Sequence, residues 1–98
     1  MADFDFAPKT LRFRTNKPYL LRLSNSDRHG HSFDAEEFFA AADVAPEDRS
    51  KVVKGEVDVG GGQTVEVRLL TSKIGSFKFH CSHFLHSAFG MTGEVVVQ

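Results

Sequence analysis

The chain is poor in several features that would place it in other protein classes. It has a single cysteine, Cys81, which excludes an internal disulfide, and it has no tryptophan. Its formal net charge is −1, which gives no reason to expect binding to nucleic acid or to an anionic membrane. No apolar run approaches the roughly 20 residues that span a bilayer. The 98 residues are therefore expected to form one domain, residues 1–98, whose interior is built from ten phenylalanines.

Candidate metal ligands are concentrated in residues 77–93. This stretch holds the only cysteine, three of the five histidines and one of the two methionines: His80, Cys81, His83, His86 and Met91. The other two histidines, His29 and His31, lie together far upstream. Two imidazoles, a thiolate and a thioether form the ligand set of a type 1 copper site. The sulfur ligands favour Cu(I) and the imidazoles accept Cu(II), so such a site can hold both oxidation states.

The residues before Cys81 alternate in polarity as a half-buried strand does. Phe77, Phe79 and Cys81 fall on one face of this predicted strand, while Lys78 and His80 fall on the other. We therefore expect Cys81 to point into the apolar interior and His80 to be a solvated surface residue. An inward cysteine can be an ordinary small apolar residue, so its direction alone does not identify a ligand.

The spacing after Cys81 is that of a ligand-bearing loop. Four residues separate Cys81 from His86, and four more separate His86 from Met91. A loop of this length can bring the thiolate, the imidazole and the thioether to one point. Gly90 and Gly93 flank Met91 and permit tight turns, and residues 94–97 then start a new strand.

The pattern Phe-x-Phe-x-Cys-x4-His-x4-Met-x-Gly-x-Val-x-Val resembles the C-terminal ligand loop of the cupredoxins, the small blue copper proteins. Its spacing is most similar to that of the rusticyanin-like members, because plastocyanins have a shorter gap between cysteine and histidine. The remaining ligand in this family is a histidine from an earlier strand. Residues 25–33 (Asn-Ser-Asp-Arg-His-Gly-His-Ser-Phe) match that context and have His31 in the ligand place. The resemblance thus implies one copper ion per chain, bound by His31, Cys81, His86 and Met91.

Two histidines compete with these assignments. His83 also follows Cys81, but Cys-x-His is too short for the usual loop and the stretch from His83 to Met91 is too long. His29 competes with His31, and the His-Ser-Phe context favours His31. His29 and His83 are otherwise expected to be solvated surface residues.

The rest of the chain predicts an all-β fold. Short strand-like segments, most of them alternating in polarity, are separated by turn signals: residues 3–6, 10–14, 19–23, 56–59, 65–70, 77–82 and 94–97. Asp34 to Glu37 resembles a helix N-cap with an acid three residues later, and residues 38–42 continue a short helix. Pro46 is expected to begin a further helical turn. We predict a cupredoxin-like antiparallel Greek-key β-sandwich of about seven to eight strands with one short helical insertion.

The resemblance implies an electron-transfer protein that cycles Cu(II)/Cu(I) and is not an enzyme. Ser32 and the phenylalanines near the site (Phe33, Phe79, Phe84 and Phe89) suggest a fairly high reduction potential. The alternative is a copper carrier or storage module, in which His29 and His83 widen the ligand set. Slow copper exchange with an intense thiolate band favours the first function, whereas rapid loss to a chelator favours the second. A Cys-His nucleophilic enzyme would need an oxyanion site and an orienting acid that the sequence does not show.

The resemblance also predicts partners and location. Redox partner proteins are expected to dock near an apolar surface around His86, which is flanked by Phe84, Leu85, Ala88 and Phe89. Cupredoxins of this type are usually periplasmic or otherwise exported. Residues 1–5 have neither the basic nor the apolar region of a secretory signal, so we expect a mature piece whose signal or anchor has been removed. The alternative is a cytosolic protein. We expect a monomer.

Overall fold

Strands account for most of the computed structural model, which describes residues 2–4, 10–26, 28–83 and 91–98, with the backbone alone at 2–4, 82, 83 and 91. In chain order, the described elements are β1 (Ala2–Phe4), β2 (Thr10–Phe13), β3 (Pro18–Ser24), β4 (His31–Asp34), α1 (Glu36–Ala41), β5 (Ala42–Val44), a 3₁₀ helix (Pro46–Lys51), β6 (Glu56–Val59), β7 (Thr64–Thr71), β8 (Gly75–His83) and β9 (Met91–Val97). Seven of these strands have four or more residues, whereas β1 and β5 have three. In this described part, no helix is long and apolar enough to cross a bilayer.

The strands form two sheets, which confirms the predicted β-sandwich. One sheet has the order β1-β3-β7-β5, and the other has the order β2-β9-β8-β4-β6. Most neighbouring strands are antiparallel, but β1 pairs with β3 and β2 pairs with β9 in parallel. The sheets are therefore mixed rather than wholly antiparallel. The reason is that β1 and β2 each lie beside a strand that is not their hairpin neighbour, and only a tight hairpin requires the antiparallel direction.

The core lies between the two sheets and is made by the alternating strands. Inward positions supply the buried side chains Leu11, Phe13, Leu21, Leu23, Phe33, Val57, Val59, Val67, Leu69, Phe77, Phe79, Cys81, Val95 and Val97. Helix α1 adds Phe38 and Phe39, whose rings pack against each other and against Phe13, Phe33 and Phe77. The predicted aromatic interior is thus confirmed for the phenylalanines that the structure describes. Each such side chain contributes about 1.5–3 kcal/mol on burial.

The helical insertion differs in detail from the prediction. Asp34 is not the N-cap, because it is the last residue of β4 and pairs there with Glu56 and His80. Helix α1 begins after Ala35 without a side-chain cap. It ends at Ala41, and Ala42 starts β5 because this segment pairs with β7 instead of continuing the helix. The helical turn predicted from Pro46 is confirmed by the 3₁₀ helix.

A buried carboxylate fastens the 3₁₀ helix to β7. Asp48 accepts a hydrogen bond of 2.7 Å from Lys51 Nζ and one of 2.9 Å from the backbone N–H of Arg68. Lys51 Nζ also donates to the carbonyl oxygen of Glu66 at 2.9 Å. The hydrogen bond from Lys51, followed by that from Arg68, lowers the pKa of Asp48 below its ordinary value. The ionised carboxylate is therefore the form that stabilises the fold.

We expect Asp48→Ala to lower the free energy of unfolding at pH 7 by about 2 kcal/mol, because the Arg68 N–H loses its buried acceptor. The matched control is Glu47→Ala, since Glu47 is exposed and lies 3.6 Å from Arg68. Folding lowers the pKa of Asp48. The carboxylate therefore contributes its full stabilisation above the unfolded-state pKa of 3.8, and this stabilisation is lost as the pH falls through the folded-state pKa. Urea unfolding from pH 7 towards pH 2 measures this. A difference between wild type and Asp48→Ala that does not shrink in acid would contradict it.

Candidate metal centre

Three of the four predicted ligand positions lie at one end of the five-stranded sheet. They are carried by β4, β8 and β9, which are neighbours in that sheet. In the register, Cys81 of β8 lies opposite Phe33 of β4 on one side and opposite Met91 of β9 on the other. His31 begins β4 two residues before Phe33. Opposite residues of an antiparallel pair have Cα atoms about 4.5–5.5 Å apart, so the backbones of Cys81 and Met91 are in direct proximity.

The fourth predicted ligand, His86, lies outside the described residues, as do Phe84, Leu85, Ala88 and Phe89. The segment 84–90 connects the end of β8 to the start of β9, and both strand ends lie at the same end of the sheet as His31. Met91 was expected in the loop, but it is the first residue of β9. Strand pairing with Cys81, in addition to loop length, therefore determines where the Met91 backbone lies.

Cys81 points inward, as its alternation with Phe77 and Phe79 predicted. Its side chain is 3% exposed and belongs to the core cluster. Beside it, the rings of Phe33 and Phe79 lie with their centroids 5.0 Å apart. Burial, with a smaller contribution from the negative charge of Asp34, raises the pKa of Cys81 to about 12. In the metal-free protein the thiol thus keeps its proton at neutral pH, and binding a metal ion requires the proton to leave.

His31 is held by a strand on each side. It pairs with Val59 of β6 and with His83 of β8. Alternation places it on the same face as Phe33, which is the face that carries Cys81. His29 is exposed in the preceding loop, in agreement with its predicted surface position. His83 was the competitor of His86, and its backbone lies directly across from His31 in the register.

The outer face of the same strands is polar and carries a local excess of acid. His80 points outward as predicted: its side chain is 44% exposed, with Nδ1 3.8 Å from the Asp34 carboxylate. Exposed Glu56 and Asp58 lie on the neighbouring strand β6. A hydrogen bond with Asp58, burial, and the charges of Asp34 and Asp58 raise the pKa of Glu56. The chain as a whole has a net charge near zero, but acidic side chains are concentrated on this face.

The donor chemistry of these positions fits copper. A buried thiol, an imidazole on the same sheet face and a thioether-bearing residue opposite the thiol are the soft and borderline donors that a type 1 site uses. Residues 2–4, 10–26, 28–83 and 91–98 contain no group of three or more His, Cys, Asp and Glu residues arranged to hold a metal ion. Of the four predicted ligands, only His31 and Cys81 both belong to these residue types and lie within these ranges.

The sequence pattern includes Asn25 in the context of His31 but does not predict its contacts. Asn25 is buried, and its side-chain amide donates to the carbonyl oxygen of His29, just before His31, and to that of Val59 in the neighbouring strand β6. The sequence offers one signal for it, an amide residue directly after the apolar strand β3. That signal does not identify its partners, because Val59 and Gly60 lie far along the chain.

Comparisons with known proteins agree with this architecture. A family model described as a cupredoxin-like domain matches residues 1–97. Lac15 from a marine microbial metagenome is 17% identical with a TM-score of 0.64 over 95% of this chain, which spans about a quarter (24%) of the length of Lac15. Auracyanin from Roseiflexus castenholzii is 14% identical with a TM-score of 0.62, covering 98% of this chain and 90% of auracyanin. The Cu(I) form of an amicyanin mutant is 15% identical with a TM-score of 0.57, covering 99% of this chain and 81% of amicyanin. A comparison with curated protein sequences finds no match.

The raised pKa of Cys81 predicts slow alkylation of the metal-free protein. At pH 8.5 we expect iodoacetamide to modify folded protein more than about a hundredfold more slowly than urea-unfolded protein, because the thiolate is the nucleophile. The unfolded rate should level off above the ordinary thiol pKa of 9.0, whereas the folded rate should keep rising towards pH 12. Cys81→Ser serves as the blank. Equal rates for folded and unfolded protein would show that Cys81 is an exposed, ordinary thiol.

Proposed function

The chain belongs to the family of cupredoxin-like domains, and from this premise we propose that it binds one copper ion and carries single electrons between other proteins. The observation that carries the proposal is that Cys81 is buried and pairs with Met91 of β9 on one side and with Phe33 of β4 on the other. His31 lies two residues before Phe33 in β4. Copper supplies a centre that accepts and releases one electron. We further propose that residues 1–98 form a single domain and that the protein is not an enzyme.

The residues that would hold the copper ion are His31, Cys81 and His86, with Met91 as a weaker fourth ligand. His86 is preferred to His83 because Cys-x4-His-x4-Met leaves loop residues on both sides of the imidazole. We also propose that this spacing groups the loop with those of rusticyanin-like proteins. Support for copper comes from the structural neighbours, which include amicyanin in its Cu(I) form.

The sheet supplies what rapid electron exchange requires of the protein. Ladders on both sides of β4 and of β8 keep the backbones of His31 and Cys81 fixed, so little rearrangement accompanies a change of oxidation state. Phe33 and Phe79 are both buried and border Cys81, which excludes water from that side. This apolar surrounding, with Ser32 beside His31, leads us to propose a fairly high reduction potential.

We propose that redox partner proteins dock at the end of the sheet that carries the ligands, near His86. Electron-transfer encounters are small and transient, so a compact patch at the ligand end is sufficient. The acidic residues Asp34, Glu56 and Asp58 on the outer face give a partner's basic residues an orienting contact. As in the cupredoxins generally, we propose that the protein acts as a monomer in the periplasm or another exported location.

Titration of the metal-free protein with Cu(II) tests the proposed function directly. We expect an intense visible thiolate-to-copper band and narrow copper hyperfine splitting in the electron spin resonance spectrum, at one copper per chain. Cys81→Ser should abolish the band. Ser76→Ala should leave it unchanged, because Ser76 lies in the same strand but its hydroxyl donates to the carboxylate of Glu94 at the exposed surface. A colourless wild-type adduct would mean that copper is held without Cys81, and electron transfer would no longer be the leading function.

A second pair of variants decides between the competing histidines. His86→Ala should remove the type 1 spectrum, because one of three strong ligands is lost. His83→Ala should retain it with little change in intensity or hyperfine splitting. The two spectra are recorded at equal copper loading. The reverse pattern would place the ligand at His83, on the last residue of β8 and directly across from His31.

A further inference from the structure

The segment that leads to His31 is tied to a turn from another part of the chain. Residues 25–30 follow β3, and residues 60–63 form the turn between β6 and β7. The side-chain amide of Asn25, which is 3% exposed, donates to the carbonyl oxygens of His29 at 2.7 Å, Val59 at 3.1 Å and Gly60 at 3.2 Å. One buried amide therefore joins the two backbone segments.

Two backbone contacts support the same connection. The N–H of Asn25 donates to the carbonyl oxygen of Gln63 at 2.9 Å. Gly61 lies so close to the segment that a β-carbon on it would overlap the carbonyl group of Arg28. The backbone of Arg28 thus packs directly on a position where only glycine fits.

Two of the carbonyl groups that Asn25 binds belong to residues near His31, one in the chain and one in the sheet. His29 is two residues before His31, and Val59 is the residue paired with His31 across the ladder. A change in the distance between these two carbonyls would move the start of β4 relative to β6. Asn25 is not one of the proposed ligands, and the carbonyl groups of His29 and Val59 connect it to the backbone at His31.

We propose that Asn25 is a positioning residue for the His31 imidazole, and that Gly61 provides the surface on which the backbone of Arg28 packs. This proposal rests on the proposed function, because it concerns the His31 position of the same copper site. The arrangement keeps His31 in place before metal arrives and resists its release from the bound metal ion.

The variants are Asn25→Ala, which removes the amide, and Gly61→Ala, which pushes Arg28 away while keeping Asn25. Two matched controls leave the connection intact. Ser24→Ala removes the neighbouring hydroxyl contact with Thr64 at 3.2 Å. Gly62→Ala strains the same turn, because Gly62 has φ +72°, but no atom lies within 4 Å of the added carbon.

Metal-free protein gives the first readout, the hydrogen exchange of the His31, Ser32 and Phe33 amides by NMR. We expect exchange about tenfold faster in Asn25→Ala and in Gly61→Ala, the change that follows loss of one buried hydrogen bond. Copper-loaded protein gives the second: both variants should shift the thiolate band and lose copper to a chelator about tenfold faster. The two controls should change the melting temperature alone.

The outcomes separate this proposal from the proposed function. If wild type shows the thiolate band, and Asn25→Ala melts earlier with unchanged exchange, spectrum and copper loss, Asn25 only stabilises the fold and the proposal is wrong. If wild type shows no thiolate band, the proposed function fails, and positioning of a copper ligand fails with it even where exchange changes. If Asn25→Ala does not fold, the same readouts are compared between Gly61→Ala and Gly62→Ala. Equal exchange, spectrum and copper loss in these two variants would show that the proposal is wrong.

Discussion

The ladder that joins β4, β8 and β9 is the constraint on which the rest of this structure depends. Its register places Phe33, Cys81 and Met91 in one row across three strands. Side chains in a strand alternate between faces, so a slip of one residue would turn Cys81 to the solvent and expose Phe77 and Phe79 as well. The apolar core therefore enforces the register, and the register brings the sulfur-bearing residues together.

Stability and the proposed chemistry share the same side chains. Phe33 and Phe79 pack against each other in the core and also border Cys81. Their burial stabilises the sandwich and at the same time surrounds the thiol with apolar groups, which is the main cause of its raised pKa. A substitution that loosens the packing of these rings would therefore lower the stability of the fold and also change the surroundings of the Cys81 sulfur.

Local pattern predicted those parts of the structure that depend on neighbours in sequence. The alternation of Phe77, Phe79 and Cys81 was sufficient to predict which face of β8 is buried. The predicted N-cap at Asp34 was wrong, because pairing with Glu56 and His80 keeps this residue in β4. The strand position of Met91 and the connection made by Asn25 were beyond prediction for the same reason. Both depend on backbone groups that are distant in sequence and become neighbours only when the sheets form.

The position of β6 at the edge of its sheet has a consequence for how these molecules behave towards one another. An edge strand offers unpaired backbone groups to any other strand, which is a route to aggregation. Here the edge is four residues long and alternates buried Val57 and Val59 with exposed Glu56 and Asp58. Two copies that approach edge to edge along β6 would bring like charges together, so the carboxylates that make this face acidic also oppose the pairing of one β6 with another.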